Sequence, residues 1–307
     1  MKKKFDIIGA PFNLLGCHPS TENTVDGLRK LNEQSWIGLT DWIHVRNTRW
    51  NRDIQDVGDI DASPEVINLI EQDKKEQALA LYCEKLQARI EQTLESGRVP
   101  ITIGGDHSIG LGTVQAILTH YQKNRNEKVA IVWVDAHADC NDSLASNLHG
   151  KPLALLMDRY PHHDWSVETE ITLSADDIYY VAVRDLMLNE HQLISSLGIT
   201  NHSMQEIDER GFSTVLNDLM TKLERDYDRI YLSFDYDALD GATFRACGTP
   251  NVGGLTAREA ITLVHTLSRS AKFVGADFVE YLPSLDKDGV SKELMIKLID
   301  AAWGLRA

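Results

Sequence analysis

The chain has 307 residues, 43% hydrophobic and 25% charged, which suits one large α/β domain or two modest ones and excludes a disordered chain. A formal net charge of -15 and a pI near 5.1 argue against nucleic acid or anionic membrane as partners, because phosphate repels such a surface. No segment approaches the roughly 18 consecutive apolar residues of a membrane span. The cysteines Cys17, Cys83, Cys140 and Cys247 are scattered without a CxxC pair, so free thiols and a cytoplasmic location are expected.

Three lysines follow Met1, but the apolar stretch from Ile7 to Phe12 is too short for a signal segment and contains Gly and Pro. Phe5 to Ile8 instead reads as a first strand. Ser63-Pro64 is a helix start, a capping serine followed by proline, and the helical pattern runs to about Glu95 before Gly97, as one long helix or two. Ile101 to Ile103 reads as a strand, Leu111 to Tyr121 as a helix, and Val129 to Val134 as a strand buried on both faces. Ile178 to Val183 and Ile230 to Phe234 are further strands, with a helix from Ser213 to Leu223 between them. Thr256 to Ser268 is a helix opened by a capping box, Phe273 to Phe278 a strand, and Ser291 to Leu305 a last helix. Strands spaced by helices imply βαβ units around a mostly parallel sheet. No repeat or linker interrupts them, so 1-307 is expected to form a single domain.

Three strands run directly into acidic and histidine residues, at the end of the sheet where α/β proteins bind ligands. The first gives Gly104-Gly105-Asp106-His107-Ser108. A glycine pair there can form a phosphate loop, but Asp106 would repel the anion, leaving a tight turn or a site for His107. The second gives Asp135-Ala136-His137-Ala138-Asp139. If the backbone stays extended, residues two apart point to one side, so Asp135, His137 and Asp139 converge. Buried like charges cost several kcal/mol unless a cation neutralises them. The third gives Asp235 and Asp237 in Ser233-Phe234-Asp235-Tyr236-Asp237, with Asp240 assigned to holding the following loop. Two histidines and four carboxylates favour manganese or a related divalent ion over a thiolate zinc site. Six ligands exceed the need of one ion with an open position, and bridging aspartates would hold two ions about 3.5–4 Å apart.

These three motifs, in this order and each after a strand, resemble the metal motifs of the arginase/agmatinase (ureohydrolase) family. The resemblance extends to Ile8 through Phe12, Asn147-Leu148-His149-Gly150, Gly248-Thr249-Pro250, Gly253-Gly254-Leu255 and Asp277 through Glu280, nearly the whole chain. It implies a three-layer α/β/α fold and two Mn²⁺ per subunit. By resemblance, His107, Asp135, Asp139 and Asp235 bind one ion and Asp135, His137, Asp235 and Asp237 the other. It also implies that Asp139 aims a water activated by the two cations, Glu280 pairs with the guanidinium, and His149 protonates the leaving amine. Asn141, Ser146, Glu190 and Thr249 match family substrate contacts.

The sequence departs from the family at the substrate's far end. Met187 stands where arginases place an acid for the α-amino group, and a thioether cannot accept an ammonium ion as a carboxylate does. The loop before His149 is shorter, and Gly16 to Gly27, a segment at the site rim in relatives, lacks the usual glycine pattern. Gly241 and Arg245 replace two prolines, with Arg245 read as a solvated loop cation or a contact to a substrate carboxylate. The expected activity is arginase-type hydrolysis of L-arginine to ornithine and urea. The alternatives are an agmatinase, another guanidino-acid or formimino-glutamate hydrolase, or a catalytically silent regulatory relative. A small guanidino substrate, no nucleic acid, no membrane and a homo-oligomer, trimer or hexamer without a long C-terminal assembly tail, complete the expectation.

Overall fold

The structure is a computed structural model and describes residues 2–31, 35–144, 147–160 and 171–305. Its strands are β1 (Phe5–Ala10), β2 (Ile54–Asp59), β3 (Val99–Gly104), β4 (Val129–Val134), β5 (Ile178–Val181), β6 (Thr200–His202), β7 (Arg229–Asp235) and β8 (Phe273–Val279). Its helices are α1 (Thr24–Arg29), α2 (Leu39–Trp50), α3 (Pro64–Glu71), α4 (Lys75–Glu95), α5 (Gly110–Ile117), α6 (Pro152–Leu156), α7 (Leu188–Leu197), α8 (Met204–Arg210), α9 (Phe212–Asp226), α10 (Ala257–Arg269) and α11 (Val290–Ala302).

The described strands form one sheet in the order β2-β1-β3-β8-β7-β4-β5-β6, and every pairing is parallel. The sheet is therefore wholly parallel rather than mostly so. Alternation along the strands divides the apolar residues between two faces. Val132, Val134, Leu232 and Phe234 pack with Leu219, Leu263 and Leu298 from α9, α10 and α11. Ile131 and Trp133 pack with Leu86, Val114 and Leu153 from α4, α5 and α6. Helices on both faces give the three layers expected, and they explain why β4 is apolar at every position.

Local chemistry set several boundaries. Ser63 caps α3 by accepting from the Val66 amide, and Pro64 occupies its first position. The long helical stretch breaks at Asp73, whose φ of 59° is left-handed, so α3 and α4 are separate. Thr256 and Glu259 form the reciprocal capping box of α10. The sequence pattern missed β2 and β6, the two edges of the sheet. β2 is largely exposed and carries the polar run Ile-Gln-Asp-Val-Gly-Asp, and β6 has only three residues. Neither carries the apolar pattern that marks a central strand. The helices α1, α2, α6, α7 and α8 were also not anticipated. No helix among the described residues is long and apolar enough to cross a membrane.

Candidate metal centre and its pocket

Strands β3, β4, β7 and β8 lie side by side in the order β3-β8-β7-β4, so their carboxyl ends deliver His107, Asp135, Asp235 and Glu280 to one place. After β3 the chain turns at Gly105, where a Cβ would stand 2.1 Å from the Phe12 carbonyl oxygen; only glycine allows that approach. Asp106 holds the turn, its Oδ1 accepting from the Ser108 amide at 3.1 Å and its Oδ2 from the Leu15 amide at 2.8 Å. This fixes His107, whose buried ring stacks on Trp133 with centroids 4.1 Å apart and planes 8° from parallel.

The two imidazole nitrogens of His107 face different surroundings. Nε2 lies 2.9 Å from Ser233 Oγ. Ser233 in turn donates to Asp277 Oδ1 at 2.5 Å, while Asp277 Oδ2 accepts from Thr113 Oγ1 at 2.6 Å and Tyr231 OH at 2.9 Å. The serine's single proton is committed to Asp277, so its oxygen accepts from Nε2–H. That leaves Nδ1 available to bind a metal, in the orientation a metal-binding histidine requires.

Nδ1 lies 2.9 Å from Asp139 Oδ2, 3.1 Å from Asp135 Oδ2 and 3.1 Å from Asp235 Oδ2. One N–H cannot serve three carboxylate oxygens. Around an octahedral divalent ion with bonds near 2.1 Å, neighbouring ligand atoms stand about 3 Å apart, so this donor set fits such an ion. A second group adjoins it, with His137 Nδ1 3.1 Å from Asp237 Oδ2 and 3.5 Å from Asp135 Oδ1. Asp135 thus faces one group with each oxygen. His107, Asp135 and Asp139 form one cluster able to hold a metal, and Asp135, His137 and Asp237 another.

The convergence does not come from extended backbone. The chain leaves the sheet after Val134, the Ala136 carbonyl turns to accept the Arg184 and Asp185 amides, and Asp139 adopts φ 49°. Glu280 is also left-handed, at φ 63°. Both positions are strained and both point carboxylates inward, as strain at functional sites often does.

The protonation pattern follows from crowding. Burial disfavours an imidazolium at His107, but the acceptor carboxylates of Asp135, Asp139 and Asp235 around Nδ1 outweigh it and raise its pKa well above the usual 6.5. Burial and the neighbouring Asp135 push Asp139 up to about 7, and burial with Asp237 and Asp135 raises Asp235. Burial would raise Asp135 as well, but the hydrogen bonds of His107 and His137 hold it far below the carboxylate range. Several carboxylates here keep protons unless a cation replaces them.

A cavity of about 340 Å³ opens over this floor, lined by His137, Asp139, Asp235 and Asp237 together with Cys17, Asn141, Asn147, His149, Gly150, Met187, Glu190 and Thr249. Glu280 Oε1 accepts from the His107 amide at 2.9 Å and lies 3.2 Å from His149 Nδ1. Asn141 Oδ1 accepts from the Ser143 amide at 2.9 Å and from Asn189 Nδ2 at 3.1 Å. Glu190 is occupied in capping α7, its Oε2 accepting from the Met187 amide at 3.0 Å. Thr249 Oγ1 donates to Asp237 Oδ2 at 2.7 Å. Met187 is exposed at the cavity's edge. Ser146 lies outside the described residues. Arg245 is exposed, does not line the cavity, and donates to the Gly241 carbonyl at 2.8 Å. Asp240 holds its loop as expected, its Oδ1 accepting from the Ala242 and Gly253 amides.

The roles of four residues at the site escaped the sequence reading, although Ser233 and Asp277 lie within its motifs. Ser233 and Asp277 orient His107. Arg184 donates to the carbonyls of Asp237, Leu239 and Asn251 and so pins the loops after β7. Cys17 approaches His149. Ser233 carried a signal, being two residues before Asp235 on the same strand. The roles of the other three depend on contacts made across the fold.

Comparison with known proteins agrees with this geometry. The family model described as Arginase family matches residues 3–304. An arginase from Bacillus caldovelox is 30% identical over 98% of each chain. Arginase-1 of Rattus norvegicus is 32% identical, over 93% of this chain and 86% of its own. The native Bacillus caldovelox arginase structure superposes with a TM-score of 0.81 at 28% identity, covering 99% of both chains. From its strands, its clustered side chains able to hold a metal and these matches along its length, the chain belongs to the arginase family, whose members are hydrolases acting on amidine C–N bonds.

Proposed function

We propose that this chain, as one catalytic domain, is a dinuclear manganese hydrolase that converts L-arginine to ornithine and urea. The observation that carries the proposal is His107 Nδ1, facing three carboxylate oxygens at 2.9–3.1 Å, two of them from Asp139 and Asp235, which line a cavity large enough for a guanidino compound. His107, Asp135, Asp139 and Asp235 would hold one ion, and Asp135, His137, Asp235 and Asp237 the other. Ions there would lower the pKa of a shared water and stabilise charge developing on the substrate.

The protein's own groups supply the rest. Asp139 accepts a hydrogen bond from the attacking water and aims it at the guanidinium carbon. Glu280 pairs with the guanidinium, in a buried position where a charge-assisted hydrogen bond is strong. As the C–N bond to the side-chain nitrogen breaks, His149 gives that nitrogen a proton and the amine leaves. Burial opposes charge on His149, but hydrogen bonds to Cys17 and Glu280 raise its pKa to about 12, so it enters the reaction protonated. Asn141, Ser146, Glu190 and Thr249 are the proposed substrate contacts. A cytoplasmic homo-oligomer, trimeric or hexameric, completes the proposal.

The test is urea release by the Mn²⁺-loaded protein from L-arginine, agmatine, guanidinobutyrate and guanidinopropionate, with formamide release from formimino-glutamate measured alongside. Turnover of L-arginine with bound manganese supports the proposal. Turnover of none of these compounds overturns it.

A further inference from the structure

We propose that Cys17 is a positioning residue for His149: its sulfur holds the outer edge of the imidazole and keeps a proton on Nε2. The role rests on the proposed reaction, in which His149 is the proton donor.

Cys17 Sγ lies 3.5 Å from His149 Nε2, and on the opposite side of the ring Glu280 Oε1 lies 3.2 Å from Nδ1. The carboxylate accepts from Nδ1, and the sulfur accepts from Nε2 when that nitrogen carries a hydrogen, so a doubly protonated ring donates to both. Substrate changes the balance. Once Glu280 pairs with a guanidinium, its charge is shared, and the sulfur is the partner left to the imidazole alone.

The sulfur is held in place. Its loop closes between Asn13 and Ser20, where the Ser20 amide donates to the Asn13 carbonyl at 2.6 Å, and Asn13 Nδ2 donates to the His18 carbonyl at 3.1 Å. The Leu15 amide ties the same loop to Asp106 Oδ2, beside His107. Cys17 is exposed at the cavity, whereas Cys83, Cys140 and Cys247 are buried. The His149 contact lowers the Cys17 pKa, while burial pushes the Cys83 and Cys140 thiols up to about 12. The ionisable groups bearing on the ring are Cys17 after β1, Asp106 after β3, Asp139 after β4 and Glu280 after β8.

The test has two arms on the full-length protein. In the first, Cys17→Ala and Cys17→Ser are compared with wild type for urea release across pH. Cys17→Ala lowers kcat on the order of 10-fold with KM within about two-fold, and Cys17→Ser recovers part of the loss. Losing a contact that raises the His149 pKa moves the alkaline limb of the profile to lower pH. In the second arm, iodoacetamide alkylation at pH 6.5 is followed by mass. The Cys17 sulfur displaces iodide, the S–C bond forming as C–I breaks, and His149 retains the proton. Cys17 is modified before the other cysteines, and at least about 10-fold faster in wild type than in His149→Asn. Unchanged kcat and pH profile in Cys17→Ala, or equal alkylation rates in wild type and His149→Asn, overturns the proposal. If wild type hydrolyses no guanidino compound, the proposed function fails, and the alkylation arm alone decides whether sulfur and imidazole act as a pair.

Discussion

Replacing Ser233 by alanine removes one hydroxyl and should weaken metal binding without touching a ligand. The His107 side chain is 1% exposed, so bulk solvent does not reach the contact between Nε2 and Ser233 Oγ at 2.9 Å. Leaving a buried N–H without an acceptor costs about 1–3 kcal/mol of stability. Asp277 Oδ1 loses its 2.5 Å partner as well but keeps Thr113 and Tyr231 on its other oxygen. The effect on the metal is separate. Without Ser233 the Nε2–H has no acceptor, so the neutral imidazole left when a metal displaces the Nδ1 proton is no longer held in the tautomer that presents Nδ1. Loss of such an orienting partner lowers metal affinity about 10–100-fold, or about 1.4–2.7 kcal/mol. Manganese titration calorimetry at pH 7.5 measures the affinity, and urea unfolding of the metal-free protein measures the stability. A folded Ser233→Ala protein that binds manganese within about two-fold of wild type would refute the reasoning, because His107 would then need no help in presenting Nδ1.

Manganese uptake should release protons, since the metal-free site keeps them on His107, whose pKa is raised far above 6.5, and on Asp139, raised to about 7. Affinity therefore rises with pH between about 6 and 8, by up to a decade per pH unit for each proton displaced; a binding enthalpy identical in buffers of different ionisation enthalpy would contradict this. Met187→Asp places a carboxylate at the exposed edge of the cavity, where an ion pair contributes about 1 kcal/mol. The KM for L-arginine should fall about five-fold while that for guanidinobutyrate, which lacks an α-ammonium, does not fall; equal shifts for both would show that Met187 is not near that group. Asp300→Ala strands the buried Arg46 guanidinium, which bonds both Asp300 oxygens at 2.7 and 2.5 Å and lies over the Trp42 and Trp50 rings. Chemical denaturation should show a loss of about 3–5 kcal/mol, and a change below about 1 kcal/mol would mean the pair is solvated in solution.

The three motifs were legible in the sequence because each follows an apolar strand, and α/β sheets gather ligands at the carboxyl ends of their strands. His107, Asp135, His137, Asp139, Asp235 and Asp237 could be named from that pattern and from the cost of burying like charges. The central strands and the two-faced arrangement of helices were legible for the same reason: uninterrupted apolar runs have no other stable place. Position along the chain could not reveal which groups meet across it. Ser233 becomes the partner of His107 because parallel register sets it beside Asp277, and that register belongs to the assembled sheet. Asp135, His137 and Asp139 converge through a left-handed turn rather than the extended backbone that their spacing suggests. Cys17 meets His149 across 132 positions of chain. Local periodicity records which face a residue shows; partnership between distant residues is decided by packing, and only the folded molecule specifies it.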